Sequence, residues 1–321
     1  MKIKPMRILF TLLLSLFGPA AFAGATCLET AREVAPKMSE ATRRDFESKL
    51  AAARESFAAD PSDAERAIWL GRRTAYLGRY REAVGIFTEA LGRFPDDARL
   101  YRHRGHRLLT LRCFDAAAAD FERAARLIRG RTDEVEPDGL PNARNTPTST
   151  LHSNVWYHLG LAHYLKGDFR RALAAYREAL KVSKNPDMLV ATTHWLYMTL
   201  RRLGREREAA ASLSPIGDGL DVIENGDYYK LVRLYQGRLR PAELLGDVDK
   251  GGDTLGSASL GYGLGNWFLY NRRGAEAEII FRRVTAGDQW SSFGYIAAEA
   301  ELRRGVAGGA ARQRRPRRPR S

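Results

Sequence analysis

The stretch Trp156-Tyr157-His158-Leu159-Gly160-Leu161-Ala162-His163-Tyr164-Leu165-Lys166-Gly167-Asp168-Phe169-Arg170-Arg171-Ala172-Leu173-Ala174-Ala175-Tyr176-Arg177-Glu178-Ala179-Leu180 decides the fold. Trp156, Leu159, Gly160 and His163 fall at i, i+3, i+4 and i+7, one face of a helix. Gly167 stops that helix, and Asp168-Phe169 opens a second whose inner face carries Ala172, Tyr176 and Ala179. Gly160 and Ala172 are small enough for two backbones to approach closely, and Tyr176 fills the space below. The unit expected is an antiparallel helical hairpin with one apolar flank left for a neighbour to cover.

Working outward, the pattern recurs. Gly71, Ala83, Phe87 and Ala90 return 34 residues later as Gly105, Ala117, Phe121 and Ala124. They return again 55 residues further on as Gly160, Ala172, Tyr176 and Ala179, a shift of one period plus a 21-residue insertion. Gly265, Ala277 and Phe281 repeat the offsets near the C-terminus. Self-similarity at such a period is the mark of a stacked repeat array.

These residues resemble the tetratricopeptide repeat family. Trp156-Tyr157-His158-Leu159-Gly160, Tyr164, Gly167-Asp168-Phe169, Ala172, Tyr176 and Ala179-Leu180 match its helix pattern, as do Leu70-Gly71, Gly78-Arg79-Tyr80, Ala83, Phe87, Ala90-Leu91 and Pro95. The resemblance implies an all-α chain, a right-handed α-solenoid of helical hairpins. Repeats are expected at 64–97, 98–131, 153–186 and, more weakly, 190–223, followed by a degenerate unit at 224–257 and a clearer one at 258–291. Residues 26–63 read as N-terminal flanking helices, and a helix at 292–304 is expected to close the exposed end. Two departures stand out: Arg112 replaces the hairpin glycine of the second repeat, and seven glycines between 217 and 252 imply short or irregular helices there.

The ends of the chain carry most of its charge. The 321 residues hold 52 Lys+Arg against 38 Asp+Glu, a net +14. Lys2, Lys4 and Arg7 precede an apolar run at 8–17, Gly18-Pro19, and the small residues Ala21-Phe22-Ala23 and Ala25. This is the order of a cleavable signal peptide over residues 1–25, cut near Ala23 or Ala25, which sends the chain to the periplasm or outside the cell. Gly24 stands where a lipid-attachment box at Cys27 needs an aliphatic residue. Residues 303–321 add eight arginines and no acid, so the segment 305–321 reads as a basic disordered tail able to make weak contact with an anionic surface. The body between is close to balanced, which argues against a nucleic-acid partner. The single apolar run is too short to span a bilayer. Export permits a disulfide between Cys27 and Cys113, though no spacing in the sequence brings the two together.

In family members that bind peptides, the resemblance implies, first helices line a concave groove through positions 2, 5, 6, 9, 12 and 13 of each repeat. Here those positions include Trp69, Arg72, Tyr76, Arg99, Arg102, His103, His106, Asn154, Tyr157, His158, Tyr164, His194 and Arg201. Arginine beside aromatic rings suits a peptide or protein segment with acidic or aromatic side chains, through paired hydrogen bonds and stacking. The family's Lys/Asn clamp for a terminal carboxylate is unmatched, since Ile68 and Arg72 stand at its first two positions. Arg72, Arg102, His106 and Tyr164 are expected to converge on one continuous groove.

Chemistry of other kinds finds little support. The histidine pairs 103/106 and 158/163 lack a third ligand at metal spacing, and Asp247-Val248-Asp249-Lys250-Gly251 lacks the ligands of a calcium loop. Gly261-Tyr262-Gly263-Leu264-Gly265 reads as small residues for close helix packing. No cofactor and no catalytic motif is expected. The function implied is an exported binding scaffold. The alternative is an enzyme of envelope polymers, or its accessory subunit, with a pocket built by the Pro/Gly/Thr-rich insertion at 130–152 and the irregular stretch 213–257.

Overall fold

The computed structural model describes residues 27–250 and 254–305. The proposed signal peptide and the basic tail beyond Gly305 lie outside those residues. Within them the chain is helical, with one isolated antiparallel bridge between Val135 and Thr150. A long helix α1 (Glu40–Ala59) precedes the pairs α2 (Ala64–Tyr76) and α3 (Tyr80–Arg93), α4 (Ala98–Thr110) and α5 (Phe114–Leu127), and α6 (Leu151–Lys166) and α7 (Phe169–Val182). Then come α8 (Pro186–Arg202) with the short α9 (Glu206–Ser212), α10 (Gly226–Tyr235) with α11 (Pro241–Lys250), and α12 (Leu255–Tyr270) with α13 (Gly274–Ala286). A last helix, α14 (Phe293–Arg304), ends the described chain.

The helices begin where side chains can satisfy free backbone N–H groups. Asp63 and Asp97 accept from Glu65 N and Arg99 N, at 2.8 and 2.9 Å, ahead of α2 and α4. Thr150 and Ser153 form a reciprocal capping box ahead of α6, and Asn185 caps α8 just before its Pro186. Gly78, Gly167 and Gly204 turn the hairpins in the left-handed region, with φ of 80°, 82° and 71°. Arg112 and Arg272 hold the same conformation at φ 65°, which costs a non-glycine residue on the order of 1–2 kcal/mol.

The repeated small-and-aromatic spacing forms the seam of each hairpin. A Cβ placed on Gly71, Gly105, Gly160 or Gly265 would fall within 2.4, 2.9, 2.6 and 2.6 Å of the rings of Phe87, Phe121, Tyr176 and Phe281, respectively. Ala83, Ala117, Ala172 and Ala277 are fully buried opposite. Four hairpins therefore close by the same contact: a ring laid on a bare glycine backbone. Neighbouring hairpins stack through their first helices, α2 on α4, α4 on α6 and α6 on α8, and this row forms the inner face of an all-α solenoid. Gly261 and Gly263 lie against Val284 and Leu231, the close packing expected of that glycine-rich run.

The two ends of the chain depart from a simple rod. α14 packs on α12 and α13, but it also crosses the inner face to reach α6, so it does more than cap the last hairpin. Phe293 at its start lies 5.3 Å from the ring of His106 and 5.4 Å from that of His158. At its far end Glu301, 2% exposed, receives Arg202 at 2.6 Å and Arg304 at 2.8 Å. Burial would push that carboxyl up, but the two guanidinium groups outweigh it and hold Glu301 below the usual carboxylate range.

Arg112 explains its own backbone. From the left-handed turn its side chain donates to Glu299 at 2.8 Å and to the carbonyl of Trp290 at 2.9 Å, with its guanidinium 3.8 Å from the Trp290 ring. The N-terminus returns as well. Cys27 is disulfide-bonded to Cys113 at the start of α5, with Cα atoms 5.7 Å apart across 86 residues. The strap that follows crosses the first hairpin turn, where Glu33 accepts from Arg81 N at 2.8 Å and Ala35 lies against Gly78. Lys37 pairs with Asp288, so the strap also meets the turn that follows α13.

Candidate functional site

On the inner face a cavity of about 810 Å³ remains between these elements. Its floor is α4 and α6, through Arg102, His106, Arg107, Asn154, Tyr157 and His158. The strap and α1 wall one side with Met38 and Phe46; the insertion supplies Leu140, Thr148 and Ser149. Glu224, Asp227, Tyr228 and Phe293 close the remainder.

The insertion is held down, not loose. Glu136 reaches into the inner face, where Arg102 pairs with it at 3.0 Å, His103 Nε2 stands 3.5 Å from its Oε1, and Asn154 donates to its other oxygen. Burial outweighs the attraction of this pair, pushing Glu136 up and Arg102 down from their ordinary values. Further along, Thr148 donates to Glu224 at 2.5 Å, Asn142 donates to the same carboxylate at 2.9 Å, and Arg144 pairs with Asp221 at 2.7 Å. The insertion and the irregular stretch thus meet at the cavity wall. Glu224 is engaged by these donors in holding the two together, whereas Asp227 faces Lys230 of its own helix at 3.8 Å.

The thirteen sequence-predicted groove residues do not share one surface. Arg102, His106, Asn154, Tyr157, His158 and Tyr76 line the cavity, and Arg72 lines a small side pocket shared with Arg102 and Glu136. Trp69 lies outside it, with the guanidinium groups of Arg72 and Arg73 stacked at 4.3 and 4.8 Å. Arg99 is tied to Glu65 and Asp97, and His103 is buried against Phe87 and Glu136.

Three predictions fail for a single reason, which is that other parts of the chain cover them. Tyr164 is fully buried, accepting from Tyr262 Oη and Asn266 Nδ2 at 2.9 Å each, and burial pushes its hydroxyl up to about 12. His194 is stacked between Tyr228 and Tyr235 at 4.5 and 5.8 Å, where burial pushes it down to about 3. Arg201 packs over Tyr270 at 4.5 Å and bonds Asn271. The expected continuous groove is therefore interrupted beyond His158, because α10, α12 and α14 occupy its path.

Sequence reasoning missed Arg107. It stands at position 10 of its repeat, outside the positions taken to face the groove. Its side chain nevertheless enters the cavity, because the lining stripe of α4 runs through Arg102, His106, Arg107 and Thr110. The available signal was its place next to Leu108 and Leu109, at the border of the buried face. Desolvation lowers Arg107 to about 10, leaving it a cation at neutral pH. Around it the imidazoles of His106 and His158 are uncharged: burial drives the first well below its ordinary value and the second down to about 3. The rings of His106 and His158 lie 4.8 Å apart, and His158 stacks on Phe121 at 5.6 Å. The site is an aromatic basin with uncharged imidazoles on its floor, and beside it stand two guanidinium groups, Arg102 paired with Glu136 and Arg107 without an ion pair among the described residues.

A family model, the tetratricopeptide repeat, matches residues 153–186, the third hairpin. That hairpin is a tetratricopeptide repeat. No curated protein matches the chain. Among solved structures, the chain is similar to YrrB, described as a TPR protein with an unusual peptide-binding site, at 15% identity and TM-score 0.42 over 78% of this chain and 98% of that one. It is also similar to MamA, at 15% identity and TM-score 0.43 over 63% of this chain and 99% of that one. Among the described residues there is no cluster of three or more metal-ligating side chains, and no helix is long and apolar enough to cross a membrane.

Proposed function

We propose that this protein is an exported binding scaffold that receives the end of a partner protein or peptide in the cavity on its inner face. The observation that carries the reading is the cavity itself: about 810 Å³ in size, floored by first helices, and walled by segments that are not part of the hairpin repeat. Cavities of this order hold ligands through an apolar lining with a few placed polar groups, and here His106, Tyr157, His158 and Phe293 supply the one while Arg107 and Tyr228 supply the other. The mode differs from capture along an open groove. An extended segment running the length of the inner face would collide with α14, whereas one end of a segment fits.

Export is supported by two independent features. The first residues have the charge, apolar run and small-residue order of a cleaved signal, and the Cys27–Cys113 bond is of a kind that persists in oxidising compartments. A scaffold role is supported by the repeat fold, which supplies a semi-rigid concave surface without needing reactive groups.

A photo-reactive residue placed at Leu140, half exposed on the cavity wall, and at Ile279, exposed on α13, tests the reading in intact cells. The expected result is one discrete adduct from position 140 that is absent from 279, on a protein recovered from the periplasm with its N-terminus near residue 24 or 26. The same adducts from both positions, or none from either, would reject partner capture. A cytoplasmic product that keeps Met1 would reject export.

A further inference from the structure

Five charged side chains line the inner-face cavity, and four of them have a structural engagement. Lys37 pairs with Asp288 and Arg102 with Glu136. Glu224 is held by Thr148 and Asn142, and Asp227 by Lys230. Arg107 differs: among the described residues its guanidinium has neither an ion pair nor a hydrogen bond, and its carbon lies over the face of Tyr80, 6.0 Å from the ring centroid. After burial, the groups that bear on it most are the phenols of Tyr80 and Tyr76, and the charges that follow are other cations, Arg102 and Arg72. A planar five-donor group that faces a cavity without an acceptor of its own leaves that donor capacity open to a ligand. Next to it, His106 Nδ1 is buried without a hydrogen-bond partner. Two adjacent positions on α4 thus present unfilled polar capacity to one space.

We propose that this cavity recognises a carboxylate carried on an apolar or aromatic body, with Arg107 binding the carboxylate and the ring basin of His106, Tyr157, His158 and Phe293 holding the body. The inference rests on the reading of the cavity as a binding site and names what it selects. A carboxylate offers two oxygens to the parallel N–H groups of a guanidinium, the pairing in which arginine is strongest. The basin is apolar in effect because both histidines are neutral, so an uncharged ring or branched chain is the natural occupant of the floor. Arg107 lies outside the residue positions at which a terminal-carboxylate clamp was sought in the sequence, so this is a separate site. The chemistry has two sources, the free C-terminus of a polypeptide and a small organic acid.

Calorimetric titration of the mature, oxidised chain with four probes separates the outcomes. The probes are N-acetylphenylalanine, its amide, N-acetyl-trialanyl-phenylalanine and the amide of that peptide. Both acids are expected to bind about ten-fold or more tightly than their amides. Substitution Arg107→Met is expected to erase the acid–amide difference, while Arg107→Lys keeps part of it and Arg126→Met, on the exposed side of α5, leaves it intact. His106→Phe, which keeps the ring and removes the nitrogen, is expected to weaken both members of each pair. If the peptide acid binds more tightly than the single residue, the source is a protein terminus; equal binding identifies a free acid. Acid and amide binding alike, or no binding of any probe at about 10 mM, overturns the proposal, and this comparison on the wild-type chain stands even if Arg107→Met does not fold. A cell adduct at position 140 together with indifference to the carboxylate would leave partner capture standing and remove only the carboxylate. Loss of both would remove the two readings together.

Discussion

Inside four of the hairpins, Gly71, Gly105, Gly160 and Gly265 sit bare against Phe87, Phe121, Tyr176 and Phe281, sixteen residues on in each case. On the inner face, by contrast, His106 meets Phe293 far along the chain, Arg112 meets Glu299 and Trp290, and Tyr164 meets Tyr262. The seam is made by local contacts whose partners are fixed by helical period. The inner face is made by returning termini and an insertion, whose partners no period fixes. The first region could be read residue by residue; the second had to be seen. If this contrast is real, damage to each region should carry its own signature.

The largest effect is expected from the bond that brings the N-terminus back. Replacing Cys27 and Cys113 by serine opens a covalent loop of 86 residues, which on chain-entropy grounds removes about 4 kcal/mol of stability. Denaturant unfolding of the oxidised protein and the double variant checks this. The loss should be accompanied by protease sensitivity confined to the strap around Ala35 and Lys37, leaving the hairpins from α4 to α7 intact. An equal loss of protection across the whole chain would mean that the strap is an integral part of the array.

Next in size is the far end of the inner face. Glu301→Ala leaves Arg202 buried without its acid, at a cost of about 3 kcal/mol. Glu208→Ala, which breaks the half-exposed pairs with Arg177 and Arg205 on the outside, should cost less than about 0.5 kcal/mol. Thermal melts of the two variants compare them directly. A similar cost for both would place α14 on the surface and not in the core.

How much was legible follows from the same division. Gly160, Ala172 and Tyr176 gave away the hairpin because a helix turns each of them to one side at known intervals. Arg112 was visible as an exception to the turn glycine, but its reason was not: the Trp290 and Glu299 that hold it are more than 170 residues away. His106, Tyr157 and His158 were placed by repeat position on the inner side of first helices, and they line the cavity. Tyr164 and His194 were placed there by the same rule, and the rule could not tell that α10, α12 and α14 would cover them. Arg107 was passed over because its repeat position is one that a regular array turns away from the groove.

The buried histidines give the inner face a pH dependence that the seam lacks. His158 and His194 are held neutral by burial down to about 3, whereas in the unfolded chain each titrates near 6.5, to order of magnitude. Below that value the unfolded state binds protons the native state refuses, so stability is complete above about pH 6.5 and falls as the pH drops toward 3. The slope is about 1.4 kcal/mol per pH unit for each histidine, or about 2 kcal/mol each between pH 6.5 and 5. Guanidinium unfolding at pH 7 and pH 5 measures it. His194→Gln, at the residue whose shift comes from burial alone, should flatten the dependence; an unchanged slope would mean that ring is solvated.

The smallest effects probe the seam, and their signs matter more than their sizes. A methyl group on Gly160 would come within 2.6 Å of the Tyr176 ring, a ring that is fully buried and has no space to retreat into. Gly160→Ala should therefore destabilise by about 1–2 kcal/mol. Gly85 lies in the middle of α3, exposed, with nothing within 4 Å of the position its Cβ would take. There the same change only removes backbone freedom from the unfolded chain and improves helix propensity, so Gly85→Ala should stabilise by about 0.5–1 kcal/mol. Both are glycines inside helices of one array, and neither has an unusual φ, so propensity alone predicts the same sign for the two. Opposite signs in paired thermal melts would assign the difference to the ring sixteen residues away. A stabilised Gly160→Ala would mean the hairpin closes with room to spare, and the repeat spacing would then need another explanation than contact.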